Sequence, residues 1–171
     1  AGNTTVSYTL GNGCYRTVQA TVNALPAPIF GTTAVCKDNT TSLFDGSATG
    51  SWTSANTGIA SVDASGTVTG VSAGNTNITY ALPTGCMQVA PVTVNPLPAL
   101  ITGNGTVCEA ATTALTDASA GGTWSSLIPS SADVDVSTGV VTGYAAGNTI
   151  ITYTLPTGCI RTKDMTINPT P

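Results

Sequence analysis

Residues 74–86 read GNTNITYALPTGC, and the phrase alternates apolar and polar side chains with a period of two before it breaks at a Pro-Thr-Gly turn. Ile78, Tyr80 and Leu82 would face one way and Asn77, Thr79 and Ala81 the other, the pattern of a strand buried on one face. The phrase recurs as GNTTVSYTLGNGC at residues 2–14 and as GNTIITYTLPTGC at residues 147–159. Its first glycines, Gly2, Gly74 and Gly147, stand 72 and 73 residues apart. Trp52 and Trp124, Cys36 and Cys108, and the phrases VNALPAP from Val22 and VNPLPAL from Val94 keep the 72-residue step. Shared landmarks at a fixed period mark a tandem array.

Within the middle repeat, turn residues cut the chain into short strands expected at 28–36, 40–45, 50–54, 59–63, 67–71, 75–82 and 88–95. Seven such strands with turn signals every eight to twelve residues predict an all-β fold of tandem immunoglobulin-like β-sandwiches. The expected organisation is a C-terminal hairpin of an incomplete preceding repeat over 1–23, one repeat over 24–96 and another over 97–171. A lone hairpin cannot bury its apolar face, so residues 1–23 are expected to be completed from outside, in cis or by another chain. Trp52 and Trp124, with Tyr80 and Tyr153, are the expected aromatic anchors of the two cores rather than sugar-stacking platforms.

The residues also carry a family resemblance. GSWTSANTGIASVDASGTVTGVSAGNTNITY (50–80) and GTWSSLIPSSADVDVSTGVVTGYAAGNTIITY (122–153) resemble the bacterial immunoglobulin-like domain of group 2. That family's pattern is a W-[ST]-S strand, an I-A-[ST]-V-D strand, a G-x-V-T-G-V-x-A-G corner and an I-T-Y strand. The third unit departs from it at Asp133 and Val134. The cysteines and the VNPLPA linker resemble arrays in very large secreted surface proteins of Bacteroidota, including gliding-type adhesins. The resemblance implies an extracellular, cell-surface setting and a non-enzymatic role.

Composition narrows the function classes. Charged residues make up 7% of the chain and the net charge is −4, so the clustered Lys and Arg that phosphate binding requires are missing and nucleic acid is not an expected partner. No apolar run reaches the length of a membrane span. Histidine is absent, which removes Ser-His and Cys-His catalysis, and the acids are scattered over different strands and turns, so no catalytic, cofactor or metal site is expected. The pair Asp133 and Asp135 reads as a solvated strand face rather than a Ca²⁺ site, since the middle repeat lacks it. Asn3, Asn39, Asn77 and Asn104 match the N-glycan acceptor pattern, a cheap match in a chain so rich in Thr and Asn.

Five cysteines without metal-type spacing point to disulfides and an oxidising compartment. Cys14, Cys86 and Cys159 follow the hairpin tips, whereas Cys36 and Cys108 precede the first turn of a repeat. Pairing within repeats would join Cys36 to Cys86 and Cys108 to Cys159. In an immunoglobulin topology, however, those positions lie at opposite poles, roughly 20 Å apart, and a disulfide needs Cα atoms within about 7 Å. The alternative is a junction staple, Cys36 with Cys159, leaving Cys14, Cys86 and Cys108 to outside partners.

Two function classes stay open. One is a structural stalk or filament whose partners are neighbouring repeats or copies of the same protein. The other is an adhesin module that recognises an unknown glycan or receptor through its loops, which differ between repeats by swaps such as SANTGIAS (54–61) against SLIPSSAD (126–133).

Overall fold

The computed structural model describes residues 1–171. The chain is all-β, with 18 strands and no helix, and it divides into two compact units, Ala1–Val94 and Asn95–Pro171.

The first unit begins with a hairpin of β1 (Gly2–Thr9) and β2 (Tyr15–Val22), which forms a two-stranded sheet by itself. Eight further strands follow: β3 (Phe30–Gly31), β4 (Ala34–Cys36), β5 (Thr40–Phe44), β6 (Ser51–Ser54), β7 (Ala60–Val62), β8 (Thr67–Gly70), β9 (Gly74–Ala81) and β10 (Met87–Asn95). They make two four-stranded sheets, β4-β10-β9-β6 and β3-β5-β8-β7. Alternation along β9 and β10 turns Thr76, Ile78, Tyr80, Ala90, Val92 and Val94 inward. Val35, Leu43, Ala60 and Val68 join the same core. Burying a side chain such as Leu43 or Ile78 contributes about 2 kcal/mol.

The second unit repeats the plan with β11 (Thr102–Gly103), β12 (Thr106–Cys108), β13 (Thr112–Thr116), β14 (Thr123–Ser126), β15 (Ala132–Val134), β16 (Val140–Gly143), β17 (Gly147–Thr154) and β18 (Ile160–Asn168). Its sheets are β12-β18-β17-β14 and β11-β13-β16-β15. Leu115, Val141, Ile151, Met165 and Ile167 fill the core.

The expected strand over 28–36 is in fact two strands in two different sheets. At Gly31 φ is 128°, and the backbone passes so close to Ser42 O and Leu43 that a Cβ would collide with them. Such an approach is open only to glycine. The chain leaves β5 there and crosses to the other sheet, where Thr33 O accepts a bond from Thr93 N at 2.8 Å. In the second unit the crossed strand β12 lies parallel to β18, with Val107 opposite Ile167 and Cys108 opposite Asn168.

The one-residue difference between the repeat spacings resides in a single turn. Asp63-Ala-Ser-Gly66 in the first unit becomes Asp135-Val-Ser-Thr-Gly139 in the second. Each aspartate organises its turn. Asp63 Oδ1 accepts from Ser65 N, Ser65 Oγ and Thr67 N, and Asp135 Oδ1 accepts from Ser137 N, Thr138 N and Thr138 Oγ1. Bonds from Ser65 and then Thr67 hold the Asp63 carboxyl below its ordinary pKa of 3.8. Those from Thr138 and Ser137 do the same for Asp135.

A depressed folded-state pKa gives stability that is present above the ordinary value and lost as pH falls through the folded one. Acidification below about pH 4 should therefore loosen both turns. In Asp135→Asn the acid-induced decline in the second unit's melting temperature should be shallower than in wild type, measured by calorimetry from pH 6 to pH 2. Parallel declines would show that the carboxylate does not hold the turn.

Candidate functional site

No cluster of three or more His, Cys, Asp or Glu side chains could hold a metal ion. Asp133 Oδ1 accepts from its neighbour Val134 N at 2.8 Å, while the Asp135 carboxylate is engaged in its turn. No helix is long and apolar enough to cross a membrane.

What the structure does repeat is a set of clamps. Trp52 packs on Tyr80 with ring centroids 4.8 Å apart, and Trp124 on Tyr153 at 4.7 Å, both tilted by 54°. Trp124 is buried and Trp52 half-buried, so neither indole offers an open face for sugar stacking. The Tyr80 hydroxyl donates to Ser47 O at 2.7 Å and accepts from Gly50 N at 3.0 Å. Tyr153 does the same with Ser119 O and Gly122 N. Tyrosine thus ties the loop between β5 and β6 to the core of the first unit, and the loop between β13 and β14 to that of the second.

That loop in turn grips the Pro-rich segment that leads into each sandwich. Ser47 Oγ accepts from Ala27 N at 2.8 Å, and Ser119 Oγ from Ala99 N at 2.8 Å. Asp45 and Asp117 orient the two serines by accepting from Ser47 N and Ser119 N at 2.7 Å. Pro26 and Pro98 are buried beside these bonds, and Arg161 Nε donates to Pro98 O at 3.1 Å. The second carboxylate oxygen of Asp45 and of Asp117 is buried without a partner, a cost the fold carries in both repeats. Sequence reasoning read VNPLPA as a linker but missed the serine clamp. An Asp-x-Ser triplet repeated at 45–47 and 117–119 was the signal.

Among the cysteines, Cys36 and Cys159 are disulfide-bonded, while Cys14, Cys86 and Cys108 are free thiols. Pairing within repeats, Cys36 with Cys86 and Cys108 with Cys159, is therefore not the arrangement the chain adopts. The reason is visible in the second unit: Cys108 is aligned with Asn168 at the far end of β18, whereas Cys159 sits just before its start. Eight or nine residues of extended strand, close to 30 Å at about 3.3 Å per residue, lie between them.

The loop differences that look like small polar swaps in the sequence converge in space. In the second unit Leu127, Ile128, Ile150 and Met165 line an open groove of about 510 Å³ with Asn148 and Asp164 at its margin. At the same place in the first unit Ala55, Asn56, Asn75, Asn77 and Pro91 line a smaller hollow of about 310 Å³, with asparagines where the second unit has Ile128 and Ile150.

A chain built wholly of strands, folded into sandwiches with a repeated Trp–Tyr core and a split first strand, defines an immunoglobulin-like repeat protein. The family model described as bacterial Ig-like domain (group 2) matches residues 32–85 and 88–161, and the chain belongs to that family. Among solved structures, the C-terminal 282-residue fragment of intimin, in complex with the intimin-binding domain of the translocated intimin receptor, matches at 18% identity with a TM-score of 0.53. The match covers 85% of this chain and 65% of that one. Invasin, described as a bacterial integrin-binding protein, matches at 17% identity and a TM-score of 0.54, over 98% of this chain and 45% of that one. The chain thus spans less than two thirds of either neighbour, and at these identities the likeness is one of fold. No curated protein sequence matches the chain.

Proposed function

We propose that this chain is a structural stalk or filament segment of an extracellular, cell-surface protein, without enzymatic activity. The observation that carries the reading is duplication: the Trp–Tyr pair, the tyrosine clamp and the Ser–Ala linker clamp recur in both units with distances equal to within 0.1 Å. A device kept in every repeat serves what all repeats share, namely folding and connection, and not recognition of one ligand. Low charge supports it too, because weakly charged surfaces of like repeats approach one another without strong repulsion.

In this reading Cys36 and Cys159 pair with each other, in the junction staple expected from strand polarity. Each thiol gives up a proton and the pair gives up two electrons to a disulfide-carrying oxidant, as an oxidising extracellular compartment supports. Such a bond has a mechanical consequence that depends on connectivity alone. A pull applied at Ala1 and Pro171 passes from Cys36 directly to Cys159, so the chain between them bears no load and the stalk cannot lengthen by unfolding it.

Force spectroscopy tests this on the whole chain. Without reductant, extension should stop short by the locked segment. With reductant, about 400 Å of further contour should appear, at about 3.3–3.6 Å for each of the residues between the two cysteines. Equal extension in both conditions would show that Cys36 and Cys159 are not joined to each other, and the load-bearing role would lose its support.

The apolar groove of Leu127, Ile128 and Ile150 favours the second reading, an adhesin module, because there the second repeat carries larger apolar side chains than Ala55, Asn56 and Asn77 of the first. Binding of a surface glycan or receptor that is lost in Ile128→Asp, with the fold intact, would establish that reading.

A further inference from the structure

We propose that the β1–β2 hairpin is the receiving half of another sandwich, and that its partner is a polypeptide segment with the chemistry of residues 24–72, the front half of a repeat. The inference rests on the repeat reading of the chain and not on its load-bearing role. Thr4, Val6 and Tyr8 occupy the positions held by Thr76, Ile78 and Tyr80 in β9, and Val18, Ala20 and Val22 those of Ala90, Val92 and Val94 in β10. The register is the same. Val6 pairs with Val18 and Thr4 with Ala20, as Ile78 pairs with Ala90 and Thr76 with Val92.

Exposure is opposite. Tyr80 is 6% exposed and Ile78 fully buried, whereas Tyr8 is 72% exposed and Val6 53%. Six inward-type side chains thus form one face of a hairpin that has no second sheet over it, and both strand edges lack a neighbour. A two-stranded ribbon of this kind is marginal in water, and open edges with an apolar face are a template for strand addition.

The two complete units show what covers such a hairpin. Each supplies a strand antiparallel to the first hairpin strand, and each adds a short crossed strand beside the second. A Trp packs at a tilt on the Tyr ring, and a Gly N–H and a Ser carbonyl meet the Tyr hydroxyl. Arg16 adds a specific requirement. It sits where Arg161 donates to the linker carbonyl of Pro98, so the partner should bring a proline carbonyl to that point, and residues 24–72 begin with Ala-Leu-Pro-Ala-Pro, whose Pro26 is the equivalent of Pro98. Around this end of the hairpin, Tyr8, Leu10, Cys14, Tyr15 and Arg16 line an open hollow of about 320 Å³. A glycan or a lipid surface supplies neither strand edges nor this set of donors and acceptors.

The test adds a copy of residues 24–72, with Cys36→Ser in the copy, directly ahead of Ala1 of the full chain. Ala1 is equivalent to Ala73, so the register is that of the middle repeat. Amides of residues 3–9 and 15–22 should exchange at least about 100-fold more slowly than in the unextended chain. Val6→Asp in the extended chain should abolish that protection and leave the amides of β9, β10, β17 and β18 unchanged. A hairpin that stays unprotected after extension would overturn the proposal. So would an unextended chain that protects its hairpin by self-association, shown by protection that disappears on dilution, because the occupant would then be a second hairpin. Neither result alters the force measurement, so the stalk reading stands or falls separately.

Discussion

Trp124→Ala is expected to cost the second unit about 3–5 kcal/mol, the range for truncating a buried aromatic side chain. The indole is 6% exposed, lies 4.7 Å from the Tyr153 ring and forms the wall against which the turn at Gly139 closes. Removing it leaves a cavity that cannot close without disturbing the ladder of β14 with β17. Chemical denaturation of the full chain, followed by hydrogen exchange in each unit, should show the second unit weakened and the first unchanged. Trp52→Ala should cost less, because Trp52 is only half-buried. A loss below about 1 kcal/mol in Trp124→Ala would mean that the aromatic pair is not the anchor of this core.

Gly139→Ala should cost about 2–4 kcal/mol, combining a left-handed backbone with overpacking. At Gly139 φ is 75°, and an added Cβ would lie 2.5 Å from Leu115 O and 2.9 Å from the Trp124 ring. Leu115 N also donates to Gly139 O at 2.9 Å, so the backbone cannot retreat without breaking a bond between β13 and the turn. Gly158→Ala is the control. Its φ of 83° is similar, but nothing lies within 4 Å of the added atom, so only the conformational cost of about 1–2 kcal/mol should appear. Equal melting temperatures for the two variants would show that backbone strain alone, without the collision, accounts for the effect.

Both substitutions act on features that a sequence reader can find but not weigh. The period-two alternation of Thr76, Ile78 and Tyr80 declares a strand and its inward face, because side-chain direction in a strand depends only on residue parity. Tandem repetition adds a second, independent reading of the same fold, and Trp52 and Trp124 stand out as anchors because aromatics are scarce in this chain. The candidate site was less legible. Asn56 against Ile128 and Asn77 against Ile150 look like unrelated exchanges along the chain. They become one groove only when the loop after β14 is laid beside β17.

What the sequence by itself determined is the repeat, its strand-rich character, the family and the facing of the long hairpins, all of which rest on local periodicity and spacing. Only the tertiary structure decided that the first strand splits between sheets at Gly31, that Ser47 and Ser119 grip the incoming linkers, and that Leu127, Ile128 and Ile150 share one groove. Each of these depends on which backbone passes beside which after the chain has turned. A strand crossing, a side-chain to backbone bond across 20 residues and a groove between a loop and a strand are set by distances through space, and these carry no periodic trace along the chain.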